Sequence, residues 1–321
     1  MAACGNDVRT AVALLKAGRC VALPTETVYG LAARADDPQA IEEIYRIKGR
    51  PSNNPLILHF DELSSMRGWV ARMPEEAERL AKSFWPGPLT LLLPRGPKAS
   101  PAVAANLPRV GVRVPAHPVF RKIIKSTGVP LAAPSANRSG YVSPTQAGHV
   151  ANAYGEELAY VFDGGPCEVG IESTIVGWEE DGTWRLYRPG AIAATAIERV
   201  LDAPLTPIAS GAAPVAPGML PHHYAPHTPV AIGGFESAHA SAREGWVTWR
   251  GLDLAIPPQT IHRPISTRNR LEDAARELYD AMIVLDGLGL ECIRIQPFPH
   301  RGIGIALNER IQRASQRIPT P

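Results

Sequence analysis

Two short stretches of the chain concentrate groups suited to holding phosphate. Lys48-Gly-Arg50 sets two cations around a glycine, ahead of Pro51 and Asn53-Asn54-Pro55. The glycine lets backbone approach an anion, arginine offers a planar fork for phosphate oxygens, and lysine a compact point charge. Ser135-Ala-Asn137 follows the small residues Ala132-Ala133-Pro134 and presents a hydroxyl and an amide two positions apart. Small residues permit close approach of a nucleotide, and Ser and Asn can bond phosphate or ribose. Each stretch also has a plain reading, since a basic helix end is commonly solvated and complements the helix dipole. No GxSxG elbow surrounds Ser135, which argues against a nucleophilic serine. Together the two stretches suggest a phosphate-binding site.

Further polar groups gather where strands should end. Pro24-Thr25-Glu26-Thr27-Val28-Tyr29-Gly30 is a strand exit crowded with hydroxyls, the place where α/β sheets bind ligands, or else a turn closed by its own side chains. His59 lies inside an apolar strand, where a satisfied core histidine is the ordinary reading. Arg113, inside Gly111–Pro115, is a cation in an apolar strand and needs a partner; a structural carboxylate and a substrate carboxylate are both open. Glu172-Ser173-Thr174 and Arg188-Pro-Gly190 repeat the pattern of polar groups at strand termini. Ser143-Pro-Thr145 suggests a helix N-terminus capped by Thr145, a natural phosphate site. His222-His223 raises a metal, but adjacent residues rarely ligate one ion and no further ligand spacing accompanies them, so protein ligands for a metal stay unassigned.

The elements that must position these groups alternate. Val8, Val12 and Leu15 have helical spacing, and Cys20 to Leu23 reads as a strand. Asp37-Pro38 opens a helix carrying Ile41, Ile44 and Ile47. Strands are expected near 56–60, 89–93, 110–114, 131–133, 160–162, 173–176 and 184–187, with helices near 75–85, 119–126, 145–154 and 191–201. Residues 203–229 hold seven prolines and no apolar period, a stiff linker. Beyond it, strands near 230–232, 246–249 and 292–295 and helices at 271–285 and 306–315 make a small second α/β domain. The expected division is 1–202, a linker at 203–229, and 230–321.

Bulk properties fit a globular protein with real cores: 321 residues, 45% hydrophobic, net charge +2. A near-neutral balance does not demand a nucleic-acid surface. The four cysteines, Cys4, Cys20, Cys167 and Cys292, form no CxxC pair, so reduced thiols are expected. No apolar run approaches the ~20 residues of a membrane span. Met1–Thr10 lacks the apolar core of a signal peptide, which points to the cytoplasm.

PTETVYGLA (24–32), IKGRPSNNPLILH (47–59), GVRVP (111–115), APSANRSG (133–140), SPT (143–145), ESTIV (172–176) and RPG (188–190) together resemble the YrdC-like family of L-threonylcarbamoyladenylate synthases, over about residues 8–202. PGM…HYAP (217–226) followed by a small α/β domain resembles the long two-domain form. The resemblance implies a twisted, mostly open mixed α/β sheet with a basic concave face, then a small Rossmann-like domain, with the linker folded over the site. It implies joining of L-threonine, bicarbonate and ATP into threonylcarbamoyl-AMP and pyrophosphate, with Mg²⁺ on the ATP, for the t⁶A modification of tRNA adenosine 37. tRNA and downstream threonylcarbamoyl-transfer proteins are the partners it suggests.

Carried over by resemblance, threonine would contact Thr27, His59, Arg113, the backbone of Ala133, and Ser173. ATP would contact Lys48, Arg50, Asn54, Ser135, Asn137, Ser143 and Arg188, with Tyr224 reaching in from the linker; Lys48 and Arg50 would neutralise the leaving group. Three positions depart from the family pattern. Arg109 stands where a threonine near the nucleotide is common. Leu220-Pro221-His222 replaces a KYR-like stretch, and the ending Gly304–Arg310 is looser than usual. The alternatives are an RNA-binding protein without turnover, against which no RRM-type stacking motif is seen, and an enzyme that carbamoylates another small molecule. Hydrogenase-maturation carbamoyltransferases contain a similar domain, but their CxxC arrays are absent here.

Overall fold

The computed structural model describes residues 2–208, 216, 223–237 and 243–316. Leu220, Pro221 and His222 lie outside the described residues. The first part of the chain runs β1 (Ala3–Gly5), α1 (Val8–Lys16), β2 (Val21–Leu23), β3 (Gly30–Arg34), α2 (Pro38–Lys48) and β4 (Ile57–His59). It continues with α3 (Glu75–Phe84), β5 (Leu89–Pro94), β6 (Arg109–Arg113), α4 (Pro118–Thr127), β7 (Leu131–Ala132) and α5 (Ala147–Tyr154). β8 (Tyr160–Phe162), β9 (Thr174–Trp178), β10 (Trp184–Arg188), α6 (Ala194–Leu201) and β11 (Thr206–Pro207) complete it. The second part holds β12 (Val230–Ile232), β13 (Glu244–Thr248), β14 (Ile261–Pro264), α7 (Leu271–Asp286), β15 (Cys292–Ile295) and α8 (Ile303–Ser315).

The first eleven strands form one mixed sheet in the order β1-β8-β2-β3-β7-β4-β6-β5-β9-β10-β11. β4 runs parallel to β6 and antiparallel to β7, in a register that sets His59 opposite both Arg113 and Leu131. Two residues far apart in sequence are thereby delivered to one end of the sheet. The last four strands form a wholly parallel sheet, β12-β15-β13-β14, whose strands are joined by crossovers as parallel pairing requires. Among the described residues no helix is long and apolar enough to cross a membrane.

Local chemistry explains the element that carries the first motif. Asp37 caps α2 by accepting from the backbone N–H groups of Gln39 and Ala40 at 3.0 and 3.3 Å, and Pro38 occupies its first turn. Ile41, Ile44 and Ile47 face the core, matching the helical period. The helix stops at Gly49, whose φ of 59° is left-handed, a conformation glycine takes without strain. Lys48 thus ends the helix, and the turn redirects Arg50.

The two sheets are tied together. Tyr141 Oη donates to Asp286 at 2.7 Å, Gln146 Nε2 to Asp280 at 2.8 Å and Arg276 Nε to the Glu168 carbonyl at 2.9 Å. At Gly170 (φ +82°) a Cβ would meet the Ala275 carbonyl oxygen at 2.4 Å, so the loop before β9 lies directly on α7.

Some expectations change. β1, β3 and β14 have no counterpart in the sequence reading. β3 is Gly-Leu-Ala-Ala-Arg, poor in β-branched residues, and it is a strand because it pairs on both sides with β2 and β7, tertiary context overriding propensity. Thr145 is not a helix cap: α5 starts at Ala147 behind Gln146, without a side-chain capping bond, and Thr145 Oγ1 is buried with no hydrogen-bond partner. The proline-rich segment begins with β11, which extends the large sheet alongside β10.

Candidate active site

A small cavity of about 50 Å³ opens between the ends of β4, β6 and β9, the 24–30 and 133–137 loops, and the segment around Tyr224. Thr27, Arg50, His59, Arg113, Ala133, Ser135, Ser173, Arg188 and Tyr224 line it, together with Thr25, Glu172 and His223. Lys48, Asn54, Asn137 and Ser143 do not line it but support groups that do. All thirteen residues assigned from the sequence therefore converge on one region.

Arg113 has its partner. Its Nη2 donates to Glu26 Oε1 at 2.6 Å, its Nη1 to Thr27 Oγ1 at 3.0 Å and its Nε to the Gly87 carbonyl at 3.1 Å. The structural carboxylate is the one the structure uses, and Glu26 Oε2 remains buried without a hydrogen bond. Thr25 donates its single hydroxyl proton to the Val28 carbonyl at 2.7 Å. Across the 2.7 Å Thr25–Thr27 contact the donor is therefore Thr27, which leaves the Thr27 oxygen able only to accept from anything else.

His59 is buried 5.2 Å from the Phe120 ring. Burial, with Arg113 nearby, lowers its pKa to about 3, so the imidazole is neutral. Its Nδ1 lies 3.2 Å from the Ile57 carbonyl. A carbonyl only accepts, so this bond needs the proton on Nδ1; the Leu131 backbone also bonds the ring.

The nucleotide-side cations are also engaged from within. Lys48 Nζ donates to the carbonyls of Ser135 and Asn137 at 2.6 and 2.5 Å. Burial, with Arg50 and Arg138 nearby, drives its pKa well below the ordinary value. Arg50 donates through Nε to the Asn54 carbonyl at 3.0 Å and through Nη2 to Asn54 Oδ1 and the Pro55 carbonyl at 2.6 and 2.7 Å. Burial lowers it to about 10, still a cation at neutral pH. Ser135 Oγ donates to Asn137 Oδ1 at 2.5 Å, and Asn137 Nδ2 donates to the Arg138 and Tyr141 carbonyls. Lys48-Gly-Arg50 and Ser135-Ala-Asn137, distant in sequence, are parts of one hydrogen-bonded unit. Arg188 donates to the Ser173 carbonyl and hydroxyl at 3.0 and 3.1 Å, and Ser173 meets Thr90 at 2.8 Å.

Ser143 does not sit at a helix N-terminus. Its hydroxyl donates to Glu172 Oε1 at 2.6 Å, while Glu172 Oε2 accepts from Tyr279 Oη at 3.0 Å and Arg310 Nε at 2.9 Å. Burial alone would raise the Glu172 carboxyl, but Arg310, Arg188 and the Ser143 bond hold it at about 2. Tyr224 is fully buried, its ring stacked on Tyr279 at 5.8 Å and covered by the Arg310 guanidinium at 4.8 Å. Ala225 N–H ties this strap to the Gly140 carbonyl at 2.9 Å.

A family model described as "Telomere recombination" matches residues 13–190, and one described as "Threonylcarbamoyl-AMP synthase, C-terminal domain" matches residues 192–316. A Bacillus subtilis protein named threonylcarbamoyl-AMP synthase is 39% identical, covering 97% of this chain and 94% of its own. A Pyrococcus abyssi protein of the same name is 36% identical over 96% of this chain and 94% of its own. The chain belongs to the threonylcarbamoyl-AMP synthase family. The crystal structure of P. abyssi Sua5 complexed with L-threonine superposes with a TM-score of 0.88 at 32% identity, covering 98% of this chain and 97% of that one. The two-domain form of the family and its mixed α/β architecture are therefore those of this chain.

Within this family frame, Arg109 is not at the cavity. It sits at the far end of β6, where it donates to Glu179 at 2.6 Å and to Tyr187 Oη at 2.7 Å. Sequence reasoning passed over Glu26, Tyr279 and Arg310. Glu26 was visible inside the 24–30 loop as the nearest carboxylate to the hydroxyl cluster. Tyr279 and Arg310 are polar groups on the buried faces of α7 and α8, a break in the apolar period that was the available signal. The cavity does not fit a resident metal ion. Glu172 is taken by Ser143, Tyr279 and Arg310, Glu26 by Arg113, and no group of three or more His, Cys, Asp or Glu that could hold a metal occurs among the described residues.

Proposed function

We propose that this cleft makes threonylcarbamoyl-AMP and pyrophosphate from L-threonine, bicarbonate and ATP, in the cytoplasm, for t⁶A modification of tRNA. The observation that carries the reading is charge. Five buried basic side chains, Lys48, Arg50, Arg113, Arg188 and Arg310, gather around the cavity. Buried positive charge is stabilised by anions brought close to it, and a triphosphate with an amino acid carboxylate would bring them.

The threonine carboxylate would lie on Arg113. The substrate hydroxyl would donate to Thr27, and the neutral His59 ring would hold the ammonium as an acceptor. Bicarbonate would yield CO₂ and a hydroxide that takes the ammonium proton as water; the free amine would attack CO₂, giving a carbamate and a proton lost to solvent, and a carbamate oxygen would attack the α-phosphorus as pyrophosphate departs. Arg50 and Arg188, with Lys48 holding the Ser135–Asn137 loop, would keep the phosphates in line and balance charge on the leaving group. Mg²⁺ would arrive on ATP without a protein ligand here, and no step is assigned to it. tRNA and the threonylcarbamoyl-transfer proteins would act on the released product.

The test is pyrophosphate release from ATP by the purified protein. Release that depends on both L-threonine and bicarbonate is expected; ATP turnover indifferent to threonine would overturn the reading.

A further inference from the structure

Thr90 is a fully buried hydroxyl in β5, among the buried apolar side chains of Leu89, Leu91, Leu92 and Leu93. Its Oγ1 lies 2.8 Å from Ser173 Oγ, and among the described residues it has no other partner. A hydroxyl proton buried without an acceptor is costly, so Thr90 donates and Ser173 accepts. Ser173 Oγ also accepts from Arg188 Nη2 at 3.1 Å. Both lone pairs of Ser173 are thereby used, and its own proton is left for a further acceptor. Ser173 lines the cavity and Thr90 does not, so the cavity is where an acceptor can meet that proton.

The seat of Thr90 keeps this direction. Gly111 on the neighbouring β6 leaves room for its methyl group: a Cβ there would come 3.4 Å from Thr90 Cγ2 and 3.3 Å from Ile57 Cγ1. A packed methyl on a β-branched residue leaves χ1 little freedom. Joining the strands does not call for the hydroxyl. β5 and β9 already pair from Leu89 opposite Thr174 to Leu92 opposite Gly177, and valine would fill the same space with no polar group to satisfy.

Ser173 also stands where the two halves of the site meet. The threonine carboxylate, hydroxyl and ammonium are assigned above to Arg113, Thr27 and His59, and the phosphates to Arg50 and Arg188. Ser173 bonds Arg188 on the phosphate side and lines the cavity with the threonine contacts. The group that forms between the amine and the α-phosphorus is the carbamate, an anion whose oxygens accept. We propose that Thr90 is a positioning residue that turns the Ser173 proton into the cavity, where Ser173 and Arg188 make a subsite for the carboxyl group derived from bicarbonate. Ser173 gives a hydrogen bond there and transfers no proton. This rests on the substrate assignment above.

Thr90→Val removes the donor and keeps the shape, whereas Thr90→Ser keeps the donor. Pyrophosphate release is followed as bicarbonate is titrated into bicarbonate-depleted buffer, and L-threonine binding without ATP is measured by calorimetry. In Thr90→Val, kcat/KM for bicarbonate is expected to fall about tenfold or more, the effect of one oriented hydrogen bond to an anion. The dissociation constant for threonine should stay within about threefold. Thr90→Ser should lie within about threefold of the wild type in both measures. If Thr90→Val does not fold, Thr90→Ala is read in its place. Unchanged bicarbonate dependence in Thr90→Val overturns the proposal, as does an equal loss in Thr90→Ser. Threonine binding weakened as much as bicarbonate use overturns it too, because the Ser173 proton would then serve the amino acid's own carboxylate. A wild-type protein whose release ignores threonine and bicarbonate would sink the substrate assignment itself, and the proposal with it.

Discussion

Glu26→Gln isolates the question of what Arg113 is for. The pair is 2.6 Å apart, with side chains 4% and 5% exposed, so solvent screens it little. Removing one member of such a pair costs about 3–5 kcal/mol, chiefly because the other charge stays buried and unpaired. Glutamine keeps an acceptor for Nη2, which places the expected loss near the lower end, about 3 kcal/mol. The stranded guanidinium then faces the cavity without a counter-charge. A threonine carboxylate would supply it, so the variant should recover with ligand what it lost without.

The assay is the unfolding midpoint of both proteins, measured with and without L-threonine. The expected result is a less stable free variant and a larger stabilisation by threonine than in the wild type. Each 1.4 kcal/mol of the recovered energy corresponds to about tenfold tighter binding. A variant that loses stability but gains no more from threonine than the wild type would show that Arg113 does not receive the carboxylate. An unchanged free variant would refute the argument from buried charge itself.

Lys48→Ala and Arg50→Ala should each lower pyrophosphate release about 10²–10³-fold, the usual loss for one electrostatic donor; near-normal rates in both would remove the phosphate assignment. Lys48→Ala should also destabilise, because the Ser135 and Asn137 carbonyls lose their donor, at about 1–3 kcal/mol for each group left buried and unpaired. Thr27 accepts rather than donates, so serine, lacking only a methyl, should lose about 10–200-fold in kcat/KM and valine, lacking the hydroxyl, more; parity of the two is the adverse result in a pyrophosphate assay. His59 and His223 have pKa values lowered to about 3, below the ordinary 6.5. The unfolded chain binds more protons in that interval, so stability is full above pH 6.5 and declines as pH falls toward 3. At pH 5.5 the two should cost about 3 kcal/mol together, and a flat pH–stability profile between 7 and 5.5 would contradict this. Glu172, held at about 2, adds a loss only below its unfolded value, between about 4.5 and 2.

What could be read from the chain followed from local periodicity and local chemistry. α2 was legible from Asp37-Pro38 at one end and its isoleucine spacing, and the structure keeps both. β3 was not, because an alanine-rich strand carries no propensity signal and exists through its neighbours. The same division holds at the site. Residue types suited to phosphate could be picked out singly, but their joining could not. Lys48 meets Ser135 and Asn137 across 87 and 89 positions, and Arg310 meets Glu172 across 138. Thr145 misled because a threonine near a helix start resembles a cap, and only backbone geometry places the start two residues later.

The cavity of about 50 Å³ has room for about one or two waters, far below the ~300–1,000 Å³ usual for ligand sites. His223 and Tyr224 form part of its wall. Tyr224 holds φ at +65°, a conformation that costs a non-glycine residue about 1–3 kcal/mol and persists only where surroundings enforce it. Here those surroundings are Arg310 and Tyr279. Strain at Tyr224 is thus held against its packing on Arg310 and Tyr279, and loss of either contact should let the backbone there relax.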